Sequence, residues 1–141
     1  MIKENPILVL NLIILILSTT IPNGLTFYIF YSATCEPCEE RINKVLTLCP
    51  GEAVTKYDIA EKGNLKRFKE ITEIIGIAFL PLPLFGVFKG DKLEAIVAGG
   101  PSEDSWRSIL VAEMEGVPVY VDDGAGRAEL KRIIRNEGDI E

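Results

Sequence analysis

The feature that most constrains the fold is a short strand-like run leading directly into a closely spaced cysteine pair and then into an amphipathic helix. Residues 25–31 read Leu-Thr-Phe-Tyr-Ile-Phe-Tyr, an aromatic and β-branched run that predicts a buried strand. Ser32-Ala33-Thr34 leads to Cys35-Glu36-Pro37-Cys38. From there to about Leu48, Cys38, Ile42, Val45, Leu46 and Cys49 fall on one helical face. Glu36, Glu39 and Glu40 crowd the first turn, where the helix dipole favours negative charge. Pro50-Gly51 is read as the stop.

The rest of the chain continues this alternation. Residues 53–59 predict a second strand, and residues 62–75 an amphipathic helix with Leu65, Phe68, Ile71 and Ile75 inward. After Pro81 and Pro83, Leu84–Lys89 and Lys92–Ala98 form a hairpin about Gly90-Asp91. Gly99-Gly100-Pro101 breaks the sheet, and Ser102 N-caps a helix to about Glu115. Beyond Gly116, Val-Pro-Val-Tyr-Val is read as a short edge strand, because a proline disfavours a central position. The Arg-Ala-Glu-Leu-Lys-Arg-Ile-Ile-Arg run after it is read as a terminal amphipathic helix. The expectation is an α/β domain with a mixed central sheet flanked by helices over residues 25–115, and a strand-plus-helix extension over 116–141. A strand–helix–strand start implies a right-handed parallel crossover.

Residues 7–17 are apolar except for Asn11, with Lys3 before them and Ser18, Thr19, Thr20 and Pro22 after. A charged start, an apolar core and a polar exit describe a signal peptide. The block is short of the roughly 20 apolar residues of a bilayer span. Residues 1–24 are therefore read as a signal peptide or an uncleaved anchor holding the membrane through residues 7–21. No Lys or Arg follows Lys3 until Arg41, which places the domain outside the cytoplasm, secreted or anchored to the cell membrane.

Composition narrows the chemistry. The 141-residue chain carries a net charge of −6 and has no basic cluster, a poor basis for nucleic-acid binding. It has no histidine, which removes Ser–His and Cys–His nucleophile arrangements and His-ligated zinc. Three cysteines cannot complete a four-cysteine zinc site. No cofactor and no metal are expected, and the remaining chemistry is that of the thiols. Cys35 at a helix N-terminus lies near unpaired backbone N–H groups that favour the attacking thiolate; Glu36 acts the other way. Cys38, one turn in on the apolar face, is shielded. That suits Cys35 to attack and Cys38 to resolve. A structural disulfide is the plain alternative, and a soft thiolate pair handling Cu(I) is another. Cys49 reads as a buried thiol.

The stretch from Thr26 to about Leu110 resembles thioredoxin. Cys-Glu-Pro-Cys at 35–38 resembles the family's Cys-Gly-Pro-Cys, and Lys56 resembles its strand lysine near the active site. Pro83-Leu-Phe-Gly-Val-Phe-Lys-Gly resembles the family's Pro-Thr-Leu-Leu-Leu-Phe-Lys-Asn-Gly. The resemblance implies a thioredoxin-like fold, Cys35 and Cys38 as catalytic residues, Pro83 as a cis-proline facing them, and Leu82 and Pro83 as substrate-binding. It implies a protein-disulfide oxidoreductase exchanging with disulfide or dithiol protein substrates and with a redox partner. The alternative is a non-catalytic thioredoxin-fold binding module in an envelope complex. The chain departs from the family at Thr34, where tryptophan is usual, and at Ile29, where a buried aspartate assists the second cysteine.

Overall fold

The computed structural model describes residues 24–49 and 53–135. The N-terminal run read as a signal peptide or anchor and the Pro50-Gly51 stop lie outside them. Among the described residues, no helix is long and apolar enough to cross a membrane.

The elements follow in the order β1 (Leu25–Tyr31), α1 (Glu36–Leu48), β2 (Ala53–Asp58), α2 (Lys62–Ile75), β3 (Leu84–Lys89), β4 (Lys92–Ala98), α3 (Glu103–Val111), β5 (Val117–Asp122) and β6 (Ala128–Ile134). They build one six-stranded mixed sheet of order β2-β1-β3-β4-β5-β6. β1 pairs parallel with β2 and antiparallel with β3; β4 pairs antiparallel with β3 and parallel with β5. β1 lies inside the sheet because its residues are apolar on both faces. Leu25, Phe27 and Ile29 point to one side and Phe30 to the other, all buried.

The helices cover the two faces. α1 and α3 share the side of Phe27, Ile29, Phe85 and Val97, with Ile42, Val45, Trp106 and Ile109 pointing inward. Trp106 meets Phe85 edge-on at a centroid distance of 4.9 Å, a favoured aromatic geometry. α2 lies on the other face, where Ile75 joins Phe30, Leu84, Ile96 and Val119. It ends at Gly76, whose φ of 73° is the left-handed conformation that favours glycine after a helix. α3 starts as expected, with Ser102 Oγ accepting from the Ser105 N–H at 3.3 Å. It stops at Val111, short of Glu115, because the backbone turns extended at Ala112 to bring the chain back toward the sheet.

Two expectations about the C-terminal segment are overturned. β5 is not an edge strand: it sits between β4 and β6. Pro118 is tolerated because the ladder to β4 begins only at Val119, one residue past the missing N–H. Residues 128–134 form the strand β6, not a helix. The run contains good helix formers, but a short isolated helix is marginal without a face to bury. As a strand it completes the open side of β5 and buries Ile134. Arg132 then reaches the C-terminus of α2, where its Nη1 donates to the Ile75 carbonyl at 2.5 Å and suits the negative end of the helix. A register shift beside Lys131 disrupts the outer edge, as natural edge strands commonly do. The hairpin shares the α2-side core through Val117, Val119, Val121 and Ile134, so it is part of the domain's sheet rather than an appendage.

Candidate active site

β1 ends at Tyr31, and the chain turns sharply into α1. The turn is held by local bonds: the Cys35 N–H donates to the Ser32 carbonyl at 3.0 Å, and the Thr34 N–H to Ser32 Oγ at 3.2 Å. Cys35 occupies the N-cap of α1 in an extended conformation, φ −82° and ψ 100°, and no side chain caps the first turn. Pro37 lies in that first turn, where its fixed φ fits and no intrahelical donor is lost. Cys35 and Cys38 are joined in a disulfide with their Cα atoms 5.5 Å apart.

The two cysteines differ in environment. Cys35 is half-buried, whereas Cys38 is 1% exposed on the core face of α1. A depression of about 510 Å³ opens beside them, lined in part by Tyr31, Ser32, Cys35, Cys38 and Lys56. Lys56 comes from β2, where it pairs in register with Ile29. The lysine that the sequence singled out therefore faces the same depression as the disulfide. Ile29 is fully buried, and among the described residues no polar or charged side chain is. No buried carboxylate stands behind Cys38. Cys49 is buried at the far end of α1.

A second feature at this end of the sheet comes from β3. In the β1–β3 ladder Phe30 pairs with Leu84, so the chain entering β3 and the chain leaving β1 share one end of the sheet. The Leu82–Pro83 peptide bond there is cis. Pro83 is fully buried, and its carbonyl accepts from the Gly99 N–H at 2.9 Å. The Leu82 carbonyl accepts from Arg41 Nη1 at 2.7 Å. Arg41 lies three residues after Cys38 on α1 and is itself half-buried, so the cysteine helix is bonded directly to the proline loop.

A β1-α1-β2 crossover, a returning α2, and a β3-β4 hairpin closed by α3 give the strand order β2-β1-β3-β4, with the cysteine pair at the start of α1 and a cis-proline entering β3. The chain has a thioredoxin-like fold. To that core it adds the β5–β6 hairpin beside β4. No family model matches the chain, and no curated protein matches it. Among solved structures the chain is similar to a mutant thioredoxin from Halobacterium salinarum NRC-1, at 24% identity and a TM-score of 0.45, covering 68% of this chain and 81% of that one.

Sequence reasoning missed Arg41, Gly100 and Asp122. Gly100 was legible only as a sheet breaker and Asp122 only as part of a turn. The Gly100 N–H donates to Asp122 Oδ2 at 3.2 Å, which ties the end of β4 to the end of β5. Nothing in the local pattern marks that pair, because β5 reaches β4 only through the complete sheet.

Proposed function

We propose that the protein is a thiol–disulfide oxidoreductase that exchanges disulfides with protein substrates through Cys35 and Cys38. The observation that carries this reading is the asymmetry of the pair. Cys35 is half-buried at an uncapped helix N-terminus, while its disulfide partner Cys38 is shielded. In the reducing direction the Cys35 thiolate attacks a substrate disulfide, forming a mixed disulfide and releasing one substrate thiolate. Cys38, once deprotonated, attacks the Cys35 sulfur; the mixed disulfide breaks, the second substrate thiolate leaves and the Cys35–Cys38 disulfide forms. Two electrons pass to the substrate and two protons are taken up by its thiolates. A dithiol partner then reduces the pair; the reverse sequence oxidises a substrate. Which direction prevails depends on the pair's potential against its surroundings, where 30 mV is worth about 1.4 kcal/mol.

Leu82 and Pro83 bind the substrate chain in this reading: they enter β3 at the end of the sheet where β1 leads to Cys35, with Leu82 partly exposed and the buried Pro83 shaping the loop. The protein acts outside the cytoplasm, carried there by residues 1–24 as a leader or as an anchor through residues 7–21; the apolar run and its single leading Lys3 support this. Its partners are protein disulfides or dithiols and a redox protein that turns the pair over.

The test is dithiol-driven reduction of a model protein disulfide by the purified protein. Cys35→Ser should abolish turnover, and Cys38→Ser should instead accumulate a mixed disulfide. Full activity in Cys35→Ser would refute the assignment. Binding of a protein partner with no turnover by the unmodified protein would favour a non-catalytic binding module.

A further inference from the structure

We propose that Arg41 is a positioning residue that sets the Leu82–Pro83 loop for substrate capture, and that Asp122 of the β5–β6 hairpin completes this clamp. The proposal rests on the exchange function above and extends it to residues outside the cysteine and proline motifs. Five bonds carry it. Arg41 Nη1 holds the Leu82 carbonyl at 2.7 Å. The Pro83 carbonyl is held by the Gly99 N–H at 2.9 Å. The Gly100 N–H is held by Asp122 Oδ2 at 3.2 Å. The other oxygen of Asp122 accepts from the N–H groups of Gly124 and Gly126, each at 3.0 Å, so the carboxylate is fixed by its own turn.

The packing is as specific as the bonding. A Cβ on Gly100 would lie 2.5 Å from Arg41 Cγ and Nε, so the stem of Arg41 runs across the bare face of that glycine. A Cβ on Gly99 would lie 2.7 Å from Asp122 Cβ and 3.1 Å from Pro81 Cγ. The glycine pair is thus enclosed between α1, the proline loop and β5. Arg41 packs on Gly100 and Asp122 on Gly99, and together they connect the cysteine helix, the proline loop and the added hairpin.

A carbonyl held by a guanidinium is a charge-assisted bond, among the stronger kinds. Its effect on exchange is through geometry: the loop is presented to the substrate already ordered, so less ordering remains to be done on binding. The signature is therefore in substrate affinity rather than in the sulfur chemistry.

The experiment measures KM and kcat for dithiol-driven reduction of insulin by the full chain, together with amide exchange at Gly99 and Gly100. Arg41→Ala should raise KM about ten-fold with kcat moving less than about two-fold, the size expected for losing one such bond. Arg41→Lys, which keeps one charged donor, should recover most of that loss. Asp122→Ala should raise KM about three-fold and speed exchange at Gly100, and the double variant should be no worse than Arg41→Ala, because the two act on one loop. An unchanged KM in Arg41→Ala, a loss confined to kcat, or multiplying effects in the double variant would overturn the proposal. An unmodified protein inert toward insulin would instead refute the exchange function, and the clamp would then stand or fall on whether the two variants release the glycine amides.

Discussion

Replacing Gly100 by alanine probes the clamp without touching either of its charged members. Gly100 is not among the glycines with positive φ, so its backbone accepts an alanine without strain. The obstacle is steric, since the new methyl group would lie 2.5–2.6 Å from Arg41 Cγ, Cδ and Nε. The arginine stem must swing away, and its bond to the Leu82 carbonyl goes with it. A hydrogen bond to a charged group is worth about 1.5–3 kcal/mol; half-exposed Arg41 belongs at the low end, about 1.5 kcal/mol. Against this, alanine restricts the unfolded chain and returns about 0.5 kcal/mol. The net expectation is a loss of about 1 kcal/mol. Trp106, the one tryptophan and fully buried, reports urea unfolding by fluorescence with the disulfide kept intact. The decisive comparison is the same substitution in an Arg41→Ala background. There the methyl group meets no stem, and Gly100→Ala should become stabilising by about 0.5 kcal/mol. A change of sign, with a coupling of about 1.5 kcal/mol, is the expected result. Equal destabilisation in both backgrounds would show that the glycine is needed for some other reason and that Arg41 does not run across it.

Acid should loosen the β5–β6 turn. Asp123 is held below the ordinary carboxyl value of 3.8, chiefly by the Ala125 N–H at 2.7 Å, with help from the N–H and the charge of Arg127. A depressed folded-state pKa gives stability that is present above 3.8 and is lost as pH falls through the lower folded value. Stability compared between Asp123→Asn and the unmodified protein should differ in pH dependence only on the acid side of that range; a difference that grows toward neutral pH would refute it. For location, a membrane-impermeant thiol reagent applied to intact cells after mild reduction should label Cys35, and protection until lysis would place the domain in the cytoplasm.

The parts of the site that were legible in the sequence are those whose causes are local. The strand before Cys35 and the helix after it follow from aromatic and apolar spacing within a few residues. The N-cap at Ser102 follows from one side chain and an N–H three residues on. The hairpin at Gly90-Asp91 follows from turn chemistry. Pro83 was separable from Pro81 only through the family resemblance, which sets a short step from the proline to Phe88-Lys89.

What was not legible depends on partners that only the assembled sheet supplies. Arg41 and Leu82 are 41 residues apart, and Gly100 and Asp122 are 22 apart. Neither pair has a periodicity to announce it. The misread segment at 128–134 belongs to the same class: Ala, Glu, Leu, Lys and Arg favour a helix locally, and the unpaired side of β5 decides for a strand. That misreading also concealed a piece of the site. With a helix in that place, Asp122 would end an edge strand and face solvent. With a strand there, the Asp122–Gly126 turn is closed by pairing on both sides, and the Gly126 carbonyl accepts from the Ser102 N–H at the start of α3. The turn is thereby pinned over the Gly99-Gly100 corner, and the carboxylate of Asp122 is directed at the Gly100 N–H. Pairing of β5 with β4 carries Asp122 to that corner, and pairing of β6, the element least favoured by local propensity, closes the turn whose N–H groups fix its carboxylate.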